Sequence, residues 1–142
     1  MGQARELMDR MTDCMRKHDF EGLASLYASD AVLTTPDEGQ IKGREAILGY
    51  LRRLSVALPD FEWEELASHE SGDTGVDEGW VVGTNTGPIE TPTETVPATG
   101  RRVRVRGCDV ATVRDGQISS HNFYFDQLEL FGQLGLLPDQ PA

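Results

Sequence analysis

The chain has 142 residues, 24 acidic and 13 basic, for a net charge of −11. That length fits one domain, and the charge opposes a sequence-independent grip on nucleic acid or an anionic membrane. Its apolar fraction of 38% is ordinary for a soluble core, and no apolar run approaches the ~20 residues of a membrane helix. Charges between Met1 and Arg10 occupy the place of a signal peptide's apolar block, so residues 1–142 are expected to form a single cytoplasmic domain. Cys14 and Cys108 have no CxxC spacing and no His beside them, which gives no support to a disulfide framework or a zinc cluster.

Residues 3–18 read as an amphipathic helix, with Leu7, Met8, Met11, Cys14 and Met15 on one stripe. Asp19 can cap a second helix from Phe20 to Ala28, followed by a short strand, Ala31–Thr34. Pro36, Gly39 and Gly43 mark a loop, and Arg44–Ala57 forms a third helix that Pro59 ends. The period then changes to two. Phe61, Trp63, Ala67 and His69 share one parity, and Trp80–Thr86 is a second strand. Gly87–Gly100, with three prolines, is an irregular loop suited to a pocket mouth. Arg101–Arg114 is the clearest strand, with Val103, Val105, Ala111 and Val113 alternating with arginines. An Asp115-Gly116 turn joins it to Ile118–Phe125, and Gln127–Leu134 forms a last short helix or turn. Helices first and a sheet of about four long antiparallel strands afterwards make an α+β fold.

Charge is unevenly placed. Leu54–Gly100 holds ten acids and no Lys or Arg, and five arginines follow between Arg101 and Arg114. An acidic sheet face meeting a basic neighbouring strand accounts for this.

No GxGxxG, phosphate-binding loop, GxSxG or HExxH is present, and His18, His69 and His121 are scattered, so neither cofactor nor metal is expected. Any chemistry then falls to carboxylates, Tyr and His in an apolar cavity. Asp109 stands out because it shares the parity of Val103 and Val113, which aims a carboxyl at the core. A bulge at Gly107-Cys108 could turn it outward, a buried partner could hold it, or it could line a cavity as an acid. Asp126 precedes Gln127-Leu128-Glu129, where it can cap the final helix, with Glu129 closing a capping box. On the strand before it, parity with Ile118 sends Asn122 and Tyr124 inward; a register slip would send His121 instead. Trp63 and Trp80 fit the core, and an indole N–H can also orient a carbonyl ligand.

His18-Asp19-Phe20-Glu21-Gly22-Leu23, Asp30-Ala31-Val32, Gly43-Arg44-Glu45-Ala46-Ile47 and the ending Tyr124-Phe125-Asp126-Gln127-Leu128-Glu129-Leu130 resemble SnoaL-like proteins of the nuclear transport factor 2-like superfamily. The resemblance implies a cone-shaped, cystatin-like sheet wrapped by three N-terminal helices around an apolar pocket, commonly as a homodimer. It also implies cofactor-independent aldol cyclisation or isomerisation of a hydrophobic, polyketide-like carbonyl compound. Asp126 would match the family's pocket acid/base, with Asp109 or His121 as partner, and Tyr124, Asn122, Asn85, Trp63, Trp80 and Tyr27 would line the substrate. Asn85 stands where relatives often have His, and Thr34-Thr35 stand near the base position of related steroid isomerases. A non-catalytic binding or assembly module is the alternative reading. Epoxide hydrolysis is the third, with Arg106, Asp109 and Asp126 supplying the residue types, although Arg106 and Asp109 differ in parity.

Overall fold

Ala4, Leu7, Met8, Met11 and Met15 are all buried along one face of helix α1 (Gln3–Lys17), and that stripe packs across the sheet. The computed structural model describes residues 2–137. The chain continues through α2 (Phe20–Leu26), β1 (Tyr27–Thr35), β2 (Gly39–Lys42) and α3 (Arg44–Ala57). It ends with β3 (Glu62–Ser71), β4 (Thr74–Thr84), β5 (Ile89–Glu90), β6 (Thr95–Val96), β7 (Arg102–Arg114), β8 (Gln117–Phe125) and α4 (Gln127–Leu134).

Six strands form one curved, open sheet in the order β2-β1-β8-β7-β4-β3, and β5-β6 is a separate hairpin. This is the expected α+β architecture, with differences in detail. β1 pairs parallel with β8, so the sheet is not wholly antiparallel. β1 begins at Tyr27, earlier than the predicted Ala31, and β2 lies where a loop was expected. The irregular stretch after Gly87 contains the short hairpin. β4 starts at Thr74, six residues before the predicted strand. Its first half hides from a propensity reading because Gly75 and Gly79 interrupt it, and both are needed for close packing. A Cβ on Gly75 would lie 2.5 Å from Met8 Sδ, and one on Gly79 would collide with the Glu64 carbonyl.

Two extra residues decide which side chains face inward. In β3, Glu65 pairs with Gly79 and Ala67 with Glu78, so Leu66 is a bulge. Trp63 consequently faces in, whereas His69 is exposed. In β8, Ser120 pairs with Thr112 and Ile118 with Val113, so Ser119 is the extra residue. Ile118 and His121 are therefore both buried, and the parity that favoured Asn122 and Tyr124 reverses after Ser119.

Two polar contacts anchor α1. Glu70 of β3 accepts the Gly2 and Arg5 N–H groups at 2.7 and 2.8 Å, satisfying donors that the helix start leaves open. Arg5 reaches Asp77 of β4 at 2.7 and 2.8 Å, and Asp9 as well, in a largely buried ion pair. The exposed arginines of β7 face acids, Arg104 to Glu64 at 3.3 Å and Arg106 to Glu129 at 3.5 Å. These are screened surface pairs of small energetic weight. No helix among the described residues is long and apolar enough to cross a membrane.

Candidate active site

β7 runs through Gly107-Cys108 without a bulge, in unbroken register with β4 from Arg102 to Thr112. Asp109 therefore keeps the inward parity of Val105 and Ala111, which excludes the outward-turning bulge, and it meets a buried partner. Its Oδ1 lies 2.6 Å from His121 Nε2. On the far side of the ring, His121 Nδ1 lies 2.9 Å from the Tyr27 hydroxyl, which is also 3.2 Å from Met11 Sδ. Tyr27 is wholly buried, and desolvation together with the Asp109 carboxylate holds its phenol far above the usual range. It stays a protonated donor. A carboxylate at Nε2 requires a hydrogen on that nitrogen, so in the neutral ring Nδ1 accepts the phenolic hydrogen. The result is a directed chain from Tyr27 through His121 to Asp109.

Asp109 and His121 line a cavity of about 60 Å³ beside Trp63, Phe123 and Thr35. The carboxylate is the more open of the two, with 14% of its side chain exposed against 5% for His121. The Trp63 indole lies over Gly79 and Gly107, which face each other across β4 and β7. At Gly79 a Cβ would lie 3.0 Å from Trp63 Cζ2 and collide with the Glu64 carbonyl, so that position requires glycine. Trp63 lines the same cavity, and its N–H is buried with no hydrogen-bond partner among the described residues. A second cavity of about 120 Å³ adjoins it beneath α3 and α4, lined by Val103, Val105, Leu130 and Phe131.

The remaining sequence-proposed residues lie elsewhere. Asp126 is exposed and is the cap of α4, its Oδ1 accepting the Leu128 and Glu129 N–H groups at 2.9 and 3.2 Å. It borders an outer-face depression with Trp80, Arg106 and Tyr124, apart from His121. Tyr124 is 59% exposed, and Asn122, one residue from His121, has the outward parity. Trp80 also faces outward, opposite Glu64 and Arg106 in register, with the Arg104 guanidinium 4.0 Å above its ring. Asn85 touches the larger cavity, but its amide is fully used. Nδ2 donates to the Ala57 and Gly87 carbonyls, and Oδ1 accepts from the Thr99 N–H and hydroxyl. It staples the 85–101 loop and has no donor left for a ligand.

Sequence reasoning missed the hydrogen bond from Tyr27 to His121 and the Arg5–Asp77 pair. Asp77 carried a readable signal, because it shares parity with Val81 in an otherwise apolar row. His18 ends α1 in a left-handed conformation and reaches the Pro59 carbonyl at 2.8 Å, while His69 is exposed. The three histidines do not converge.

The family model for a SnoaL-like domain matches residues 8–121. IdmH of Streptomyces antibioticus, a candidate polyketide cyclase, is 26% identical with a TM-score of 0.77, over 94% of this chain and 99% of that one. TsrD of Streptomyces laurentii is 25% identical with a TM-score of 0.79, over 95% and 96%. A candidate SnoaL-like polyketide cyclase from Jannaschia sp. CCS1 is 19% identical with a TM-score of 0.84, over 96% and 94%. No curated protein is matched by the sequence. With the family model spanning most of its length, the chain belongs to the SnoaL-like family.

Proposed function

We propose that the protein is a cofactor-independent acid/base enzyme acting on a hydrophobic, polyketide-like carbonyl compound, with Asp109 as the proton-transferring group. The observation that carries this is the 2.6 Å contact of Asp109 with His121 on the wall of an apolar cavity. Asp109 takes a proton from the carbon next to the substrate carbonyl. His121, oriented by Tyr27, holds the other carboxyl oxygen and fixes the geometry. The free Trp63 N–H supplies a donor for the oxygen on which negative charge develops. Attack of the carbanion on a second carbonyl closes a ring, the alkoxide so formed taking back the proton from Asp109, and return of the proton to a different carbon isomerises the substrate.

Epoxide opening fits less well, because Arg106 points outward to Glu129 and places no guanidinium beside Asp109. A purely binding role leaves the buried pair and the spare donor without a use. The same reading takes the enzyme to be cytoplasmic and a homodimer through the outer sheet face, where Leu66 and Tyr124 are 60% and 59% exposed. Light scattering on Leu66→Asp and Tyr124→Lys tests that assembly, with a monomer as the expected result.

Solvent deuterium uptake at the α-carbons of 2-tetralone, followed by NMR, tests the chemistry. The wild-type protein should accelerate exchange, and Asp109→Asn and His121→Phe should each remove at least about a hundredfold of it, the scale of one acid/base group. Exchange that survives Asp109→Asn in a folded protein would sink the proposal.

A further inference from the structure

Asp77 of β4 stands directly opposite Asp109 of β7 in register, so the two carboxyls share the inner face of the sheet with their Cβ atoms about 5 Å apart. Like charges so placed repel, and Asp77 is only 2% exposed. Arg5 of α1 is the cation that meets it, its guanidinium 2.7 and 2.8 Å from the two carboxylate oxygens and 2.8 Å from Asp9. Burial opposes the charge on Arg5, but Asp77 and Asp9 outweigh it and push the pKa up, so Arg5 stays a cation. At the rim, burial and the Asp77 charge push the Glu65 carboxyl of β3 up. On the other side of Asp109 stand His121 and, behind it, Tyr27. From α3, Tyr50 lines the same cavity with its hydroxyl turned to Asp37. Cys108 and Glu78 oppose each other on the outer face.

Neither Arg5 nor Asp77 lines the cavity that holds Asp109 and His121, so any influence they have on the reaction passes through that pair. Resting on the acid/base reading of Asp109, we propose that they are positioning residues that set its charge: Asp77 strengthens Asp109 as a proton acceptor, and Arg5 offsets Asp77 so that Asp109 stays ionised at neutral pH. Without Arg5, two uncompensated carboxylates face each other and draw a proton onto the group. Without Asp77, the guanidinium bears on Asp109 and weakens it as a base. Because Arg5 comes from α1 and Asp77 from β4, the seated helix supplies the charge that keeps the base ready.

The pH at which the His121 ring C–H signals shift in NMR, assigned against His121→Phe, reads the charge around the pair without any turnover. Asp77→Asn removes the negative charge and leaves the guanidinium, and should move this midpoint down by about one unit, the low end of what a neighbouring charge does. Arg5→Met leaves Asp77 bare and should move it up by about one unit. The acidic limb of 2-tetralone exchange should move in the same directions. Arg5→Lys keeps the charge and should stay within about half a unit of wild type on that scale. The double variant Arg5→Met/Asp77→Asn, which leaves neither charge of the pair if Arg5→Met alone fails to fold, should have a midpoint above that of Asp77→Asn. One midpoint common to all folded variants, or shifts of Asp77→Asn and Arg5→Met in the same direction, as loosening of α1 would give, overturns the proposal. Opposite shifts without 2-tetralone exchange by the wild type keep the charge coupling and remove the acid/base reading, and exchange with unmoved midpoints removes the role of Arg5 and Asp77 alone.

Discussion

Asp109 of β7 and His121 of β8 meet diagonally across neighbouring strands, at 2.6 Å, because Ser119 is an extra residue in β8. Each group has its partner inside the protein, and that makes the pair asymmetric under mutation. His121→Leu leaves a carboxylate in an apolar wall without its donor, at an expected cost of about 3 kcal/mol or more. Asp109→Leu/His121→Leu removes both polar groups and should cost less than the single change. Urea midpoints of the two variants check this. A double mutant less stable than His121→Leu would mean that the pair adds stability of its own.

Tyr27 acts through His121. Tyr27→Phe keeps the ring in its fully buried place and removes one hydrogen bond, so stability should fall by about 1 kcal/mol. With Nδ1 left without its donor, the imidazole keeps its Nε2–H toward the Asp109 carboxylate but loses the hydrogen bond that fixes its other edge. The Nδ1 chemical shift of His121 should move accordingly, and kcat for exchange should drop about tenfold with KM nearly unchanged, as expected for an orienting partner. An unchanged Nδ1 shift and kcat in the folded variant would remove Tyr27 from this role.

Legibility differed between the two strands that carry the pair. In β7 valine and arginine alternate from Arg102 to Arg106 and set an inward parity for Asp109, but Gly107-Cys108 left an outward-turning bulge open until the register with β4 proved unbroken. In β8 the bulge falls at Ser119, between Ile118 and the equally small and polar Ser120, with no glycine or proline to mark it. A one-residue shift then exchanges every face, which turned Asn122 and Tyr124 out and His121 in. Trp63 was placed inward correctly, but the Leu66 bulge that follows it was silent, and His69 fell on the wrong face. The floor beneath Trp63 consists of Gly79 and Gly107, residues that read locally as breaks and make sense only once β3, β4 and β7 are packed together.

Asp126 joins sequence and structure differently, because its two possible roles respond in opposite ways to one substitution. Asn is about as good a helix cap as Asp, so Asp126→Asn should leave both stability and α-proton exchange close to wild type, whereas Asp126→Ala should cost about 1 kcal/mol through fraying of α4. Thermal denaturation and the 2-tetralone assay measure the two. Loss of exchange in a folded Asp126→Asn protein would return Asp126 to the reaction.

Asn85 should be intolerant even of an isostere. Asn85→Asp keeps the acceptors for Thr99 but leaves the Ala57 and Gly87 carbonyls facing an oxygen where they now meet an N–H. Two unmet buried acceptors beside a buried charge should lower stability by about 3 kcal/mol or more. The loop should also become cleavable between Gly87 and Gly100 under limited proteolysis. Resistance equal to wild type would show that the loop is held by other contacts.

Acid should release α1 from β3 through one carboxylate. Glu70 accepts the Gly2 and Arg5 N–H groups, and these bonds to its charged form hold its pKa below the ordinary 4.5. A depressed carboxylate stabilises fully above its unfolded value and loses that contribution as pH falls through the folded value. Glu70→Gln resembles the protonated side chain at every pH. The stability gap between wild type and Glu70→Gln should therefore be constant from about pH 7 to about pH 6, then narrow below pH 4.5 and close as pH falls through the lower folded value. Urea midpoints across that range measure it, and exchange of the Glu6 and Leu7 amides reports whether α1 frays with them. A gap independent of pH would mean that the helix start is held by its packing on β3 and β4 and by the Arg5–Asp77 pair, with no contribution from the charge on Glu70.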